Sequence, residues 1–201
     1  MAARTGRWLA LMAAIAIAGC ARDVPQATRD GPIVAFGDSL VRGTGSSGGG
    51  FVKELEQRLG KPIENLGVPG DTTADGFARI NEVLERRPAV VLLLLGGNDY
   101  LRQVPPDETF ANLARIIERL QAEGIAVLLI GVRGGLIRDH FAEHYEELAD
   151  RYRTAYVHDV LDDTLGVSGY MADPVHPNDA GYRVIADRVY PVLAQMVGRQ
   201  P

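Results

Sequence analysis

Between Pro88 and Gly96 the chain reads Ala-Val-Val-Leu-Leu-Leu-Leu, residues 89–95, with no polar side chain on either face. A strand with one wet face alternates apolar and polar residues, whereas a strand covered on both faces does not. Ala89–Leu95 therefore reads as a central strand of a parallel sheet, and the rest of the chain must supply two covering layers. It does so by alternation. Ile33–Phe36 is a first strand, and Phe51–Leu59 is a helix with Phe51, Leu55 and Leu59 at four-residue spacing. Pro62–Leu66 is a second short strand. Thr72–Arg87 reads as one helix carrying Phe77, Ile80, Val83 and Leu84 on one face. Pro106–Glu123 is helical, with Asp107 as N-cap or first-turn acid. Ile125–Gly131, His140–Tyr152, Ala155–Val157 and Asn178–Val197 follow as strand, helix, strand and closing helix, with Asn178 as N-cap. The expected fold is α/β: a three-layer α/β/α sandwich on a five-stranded parallel sheet, without repeats or a second domain.

Composition agrees with one ordinary domain, since 46% of the 201 residues are hydrophobic and 23% charged. The net charge of -5 is not offset by any Lys/Arg cluster, which excludes a nucleic-acid surface. The N-terminus stands apart. Arg4 and Arg7 precede an apolar segment, Trp8–Ala18, too short for a comfortable membrane span and suited to an export signal. It ends Ile17-Ala18-Gly19-Cys20, and Cys20 is the sole cysteine. This resembles a bacterial lipobox, so residues 1–19 are expected to be a lipoprotein signal, Cys20 an acylated N-terminus, 20–31 a polar tether and 32–198 the folded domain. The expected location is the cell envelope, lipid-anchored and facing the periplasm or exterior. Removal of 1–19 would take away Arg4 and Arg7 and no acid, leaving the mature chain more acidic by two charges.

In a parallel α/β sheet the working site lies at the carboxyl ends of the strands. After the first strand comes Gly37-Asp38-Ser39, and after the second Gly67-Val68-Pro69-Gly70-Asp71-Thr72. After the third comes Gly96-Gly97-Asn98-Asp99, and after the fifth Asp173-Pro174-Val175-His176-Pro177-Asn178. Ester hydrolysis by a serine needs a base for the hydroxyl proton, a carboxylate to orient the base, and donors for the oxyanion. Ser39, His176 and Asp173 can meet the first two needs. Asp173 precedes His176 closely enough to return its carboxylate to Nδ1, with Pro174 and Pro177 stiffening the segment. The N–H groups of Ser39 and Gly70 and the Asn98 amide can meet the third. Asp38 and Asp99 read as turn-holding residues.

The blocks Gly37-Asp38-Ser39-Leu40, Gly70, Gly96-Gly97-Asn98-Asp99 and Asp173-Pro174-Val175-His176 resemble, in order, the four signature blocks of the GDSL, or SGNH, hydrolases. The likeness runs from about Pro32 to Val197 and is most similar, over Asn65–Thr72 and Gly96–Leu101, to the bacterial thioesterase/lysophospholipase/arylesterase subgroup. The resemblance implies a flavodoxin-like sandwich with Ser39 as nucleophile and first oxyanion donor. It implies Gly70 and Asn98 as further donors, His176 as base and Asp173 as its orienter, without metal or cofactor. The run Gly43–Gly50 after the nucleophile departs from the pattern.

Two other motifs compete. Gly43-Thr44-Gly45-Ser46-Ser47-Gly48 spells G-x-G-x-x-G, with Glu64 near the end of the second strand, but Asp38–Arg42 separate it from the strand it should follow. His140-Phe141-Ala142-Glu143-His144 matches H-x-x-E-H, yet no third ligand is evident, and Glu146, Glu147 and Asp150 read as a solvated acidic face. The expected activity is hydrolysis of small acyl esters through an acyl-serine, by a monomer. Leu101, Val104, Leu136, Ile137 and Phe141 are candidates for an acyl groove, with core or lid packing as their simpler reading. Deacetylation of a surface glycan, or lipid or glycan binding without catalysis, are the alternatives.

Overall fold

A computed structural model of the chain describes residues 24–132 and 141–198. Five parallel strands form one sheet in the order β2-β1-β3-β4-β5. They are β1 (Ile33–Gly37), β2 (Ile63–Gly67), β3 (Val90–Leu94), β4 (Ala126–Ile130) and β5 (Ala155–Val157). All of β1 and β3 is buried, as their unbroken apolar runs require. The edge strand β2 is less buried: Glu64 is exposed, and Asn65 on the opposite face is partly buried with its amide bonded.

The helices are α1 (Ser39–Arg42), α2 (Gly50–Leu59), α3 (Thr73–Ala78), α4 (Ile80–Glu85), α5 (Gly97–Leu101), α6 (Pro106–Ala122), α7 (Phe141–Tyr152) and α8 (Asp179–Met196). Helix α2 packs on α8, and α3 and α7 pack on α6, giving the two layers over the sheet. The core holds Phe36, Leu55, Leu92–Leu95, Ile116 and Tyr145 at full burial. The chain passes from β1 outward to β2, then back across to β3 on the other side of β1. The sheet therefore has its switch point between β1 and β3, where a crevice opens at their carboxyl ends.

Three elements differ from the sequence reading. Thr72–Arg87 is two helices, broken at Arg79 (φ -106°, ψ 16°). The Arg79 side chain turns inward there: Nε donates to Asp71 at 2.6 Å, Nη2 to the Gly37 carbonyl at 2.9 Å, and the guanidinium lies 4.3 Å from the Phe36 ring centroid. Those tertiary contacts outweigh the continuous apolar period. Thr72 caps the first of the two helices through a reciprocal box with Asp75. The short helices α1 and α5 are additions, each following a strand too closely to show a period of its own. Asp107 lies in the first turn of α6, whose N-cap position is Pro105.

The described part of segment 20–31 lies along the amino edge of the domain. Gln26 Nε2 donates to the Gln195 carbonyl, the Ala27 N–H to the Met196 carbonyl and Arg29 Nη1 to the Glu123 carbonyl, each at 2.9 Å. Cys20 and the rest of 1–23 lie outside the described residues, as do Leu136, Ile137 and His140.

Candidate active site

Ser39 owes its place to the end of β1. Asp38 is the N-cap of α1 and accepts the Leu40 N–H at 2.9 Å, which sets Ser39 as the first helical residue at the crevice floor. The close approach of α1 to the strand ends requires glycine: a Cβ on Gly37 would meet Val41 Cγ2 at 2.6 Å, and one on Gly67 the Arg42 backbone nitrogen at 2.3 Å. Asn65 Nδ2, reaching from β2, donates to the Val41 carbonyl at 2.7 Å and holds the other side of α1.

His176 arrives from the opposite direction, on the segment between β5 and α8. Asp173 Oδ1 accepts the N–H groups of Val175 and His176 at 2.9 and 2.8 Å, closing a tight turn. Asp173 Oδ2 lies 2.7 Å from His176 Nδ1, and His176 Nε2 lies 3.0 Å from Ser39 Oγ. With Nδ1–H donating to the carboxylate, Nε2 is left to accept from the serine hydroxyl. The two N–H bonds and the imidazole hold the Asp173 carboxyl below the usual carboxylate range, so it stays ionised. Asn178, as expected, caps α8 by accepting from Ala180 and Gly181 N–H.

Asn98 and Gly70 are brought together by α5. Asn98 Nδ2 donates to the Asp71 carbonyl at 3.0 Å and sits 3.4 Å from Asp38 Oδ2, while Arg102 Nη2 donates to the Gly70 carbonyl at 2.8 Å. Thus α5 grips two successive carbonyls of the β2–α3 loop. Gly70 has φ +89°, a conformation its lack of Cβ permits. Asp99 is buried and holds a different place from the one its sequence suggested. It accepts from Thr73 N at 2.9 Å and Thr73 Oγ1 at 2.5 Å, tying α5 to the start of α3. Below α5 the fully buried Tyr145 hydroxyl donates to the Leu95 carbonyl at 2.5 Å.

Ser39, Gly70, Asn98 and His176 line one cavity of about 270 Å³. Its apolar wall is Leu40, Leu101, Val132, Leu161, Leu165 and Val175. Of the groove residues expected from sequence, Leu101 is in this wall; Val104 is not, and Phe141 is buried against Tyr100 and Phe110 in the core. Val132, Leu161 and Leu165 were missed although they follow β4 and β5, and the strand-end rule that found Ser39 also points to them. A larger cavity of about 510 Å³ lies at the amino ends of the strands, remote from these groups.

The acidic partner of the glycine-rich motif lies at the wrong edge of the sheet, and His140 of the H-x-x-E-H motif lies outside the described residues. Glu64 pairs with Arg86 at 3.1 Å and lines the amino-edge cavity, far from the loop whose ribose partner it would be. His144 packs on the Phe110 ring, and among the described residues no group of three His, Cys, Asp or Glu side chains could hold a metal ion.

The family model for GDSL-like lipase/acylhydrolases matches residues 35–184. The chain belongs to this family. It is an ester hydrolase of the GDSL type, and the expected α/β/α sandwich is the fold of its structural neighbours. Esterase TesA of Pseudomonas aeruginosa is 33% identical over 201 residues, spanning 92% of this chain and 100% of that protein. A protein of Escherichia coli K12 named thioesterase 1/protease 1/lysophospholipase L1 is 29% identical over 142 residues, 67% of this chain and 68% of its own length. The crystal structure of TesA superposes with a TM-score of 0.76 at 32% identity, covering 83% of this chain and 99% of that one.

Proposed function

We propose that Ser39 is the nucleophile of an acyl esterase whose substrates carry an apolar acyl or aryl group larger than acetyl. The observation that carries the chemistry is the unbroken line Asp173 Oδ2, His176 Nδ1, His176 Nε2, Ser39 Oγ at 2.7 and 3.0 Å. His176 takes the hydroxyl proton as Ser39 Oγ bonds to the acyl carbon, then returns it to the leaving oxygen or sulfur as that bond breaks. In the second half a water gives its proton to His176 as its oxygen bonds to the acyl carbon, and His176 returns a proton to Ser39 Oγ as the acyl–serine bond breaks. The N–H groups of Ser39 and Gly70 and the Asn98 amide are assigned to the oxyanion.

The cavity lining supports the acyl preference. The apolar side chains of Leu40, Leu101, Val132, Leu161, Leu165 and Val175 offer an acyl chain or aryl ring a contact surface that an acetyl methyl would leave largely uncovered. That disfavours an acetyl-glycan substrate and favours lysophospholipids, medium-chain thioesters or aryl esters. Among the described residues the exposed large hydrophobics, Val68, Tyr100, Leu101, Val167 and Val175, all lie on α5 or on loops that follow strand ends at the carboxyl edge, which also suits apolar substrates. A p-nitrophenyl ester series tests both parts: rates should rise from acetate to longer chains, and Ser39→Ala should abolish them. A Ser39→Ala rate equal to wild type refutes the nucleophile. A preference for acetate refutes the acyl class.

The lipoprotein reading is proposed with it. Because Gln26 and Ala27 are bonded to the amino edge, residues 20–26 allow acyl chains on Cys20 at most about 20 Å of reach from that edge. The cavity opens on the opposite edge, so an anchored enzyme would draw dispersed esters from the aqueous side. Cell fractionation checks the anchor: Cys20→Ser should move the protein from the membrane to the soluble fraction.

A further inference from the structure

The glycine-rich run that departs from the family pattern is fastened to the first turn of α8. Asp179 Oδ2 accepts the Ser47 hydroxyl at 2.6 Å, and Oδ1 accepts the Ser46 hydroxyl and the Gly48 N–H, the latter at 3.1 Å. One turn on, the Tyr182 hydroxyl donates to the Thr44 carbonyl at 2.8 Å, while its ring stacks on Phe51. The other end of the run is tied to the nucleophile's helix, since Gly43 N and Thr44 N both donate to the Ser39 carbonyl at 3.1 and 3.0 Å. Between these anchors the loop lies directly on the base: a Cβ on Gly45 would meet the Pro177 carbonyl oxygen at 2.7 Å and His176 Cβ at 3.2 Å.

We propose that Asp179 is a positioning residue for the Ser39–His176 pair, acting by clamping loop 43–48 between the helix that carries the nucleophile and the segment that carries the base. The inference rests on the reading of Ser39 and His176 given above. A covalent path from Ser39 to His176 runs through most of the domain, and their direct link is one hydrogen bond that must break and re-form in each cycle. The clamp supplies a second connection that stays closed throughout. It sets the Oγ–Nε2 separation within the few tenths of an ångström that proton transfer requires. The cluster of hydroxyl and amide donors also holds the Asp179 carboxyl far below its ordinary range, so the clamp stays charged across the working pH. As Thr44 lines the cavity, the same loop forms one wall of the acyl site.

The experiment is a double-mutant cycle with p-nitrophenyl butyrate, reading kcat, KM and the unfolding midpoint. Asp179→Ala should lower kcat about tenfold with KM changed less than about threefold, and Ser46→Ala/Ser47→Ala should reproduce that change. In a His176→Ala background, Asp179→Ala should add nothing, because a residue acting through the imidazole has no target once it is gone. The proposal is overturned by a wild-type kcat in both variants, or by an equal loss in the His176→Ala background. It is also overturned if Asp179→Ala and the serine pair lower the midpoint alone. Asp179→Asn, nearly isosteric, covers the case in which the alanine variant fails to fold and should show a smaller fall in kcat. If His176→Ala itself kept full activity, the catalytic reading would fail first; if it is inactive and Asp179 is neutral, only the clamp fails.

Discussion

Asp38 is 2% exposed, and that burial, as the largest influence, pushes its carboxyl up to about 7 against the Leu40 N–H bond and His176, which pull it down. In the unfolded chain it ionises near its ordinary 3.8. Between those two values the unfolded chain has lost the proton while the folded chain keeps it. Stability therefore falls as pH rises through this window, and the whole loss is present above about 7. From pH 5 to pH 8 the folded state should lose about 3 kcal/mol on this account, at about 1.4 kcal/mol per pH unit. Asp38→Asn keeps the acceptor for the Leu40 N–H but cannot ionise. It places an amide opposite Asn98 Nδ2, a cost that does not change with pH. Urea unfolding of both proteins at pH 5 and pH 8 separates the two effects. Between them the stability difference should move by about 3 kcal/mol in favour of the Asp38→Asn variant, equivalent to roughly 6–12 °C in midpoint. A difference that is the same at both pH values would show that Asp38 is ionised throughout, and the argument from burial would be wrong.

Asn98→Ala should lower kcat by about 10²–10³ with little change in KM, as for other oxyanion donors; a change in KM alone would assign Asn98 to substrate binding. Because the base must be unprotonated to accept the Ser39 proton, while Asp173 stays ionised, the rate should fall toward acid. A flat rate from about pH 5 to 8 would remove His176 as base. Tyr145→Phe leaves the buried Leu95 carbonyl without its hydroxyl partner and should cost about 1–3 kcal/mol in urea unfolding. An unchanged midpoint would mean that the carbonyl is satisfied in another way.

Much of the fold was legible because its signals are local. The buried runs at 33–36 and 89–95 need cover on both faces, and the helical periods between them provide it. Ser39, Gly70, Asn98 and His176 were legible for a related reason: each follows a strand end, and a parallel sheet delivers all such ends to one edge. The break at Arg79 was not legible, because its partners Asp71, Gly37 and Phe36 come from other elements. Short α1 and α5 gave no period to read. Core and groove residues look alike in sequence, so only the structure separates Leu101, which lines the cavity, from Phe141, which packs in the core.

Residue types and their order thus determined the sheet, its two layers, the edge that bears the chemistry and the polar groups that meet there. Only the tertiary structure decided what depends on distant segments touching. It set the 3.0 Å between Ser39 and His176 and turned Asp99 toward Thr73. It made the wall from Val132, Leu161 and Leu165, and it brought Asp179 to the loop at 46–48. The physical reason is range: backbone preference and hydrophobic period act over a few neighbouring residues, while side-chain partners from different elements are chosen by packing.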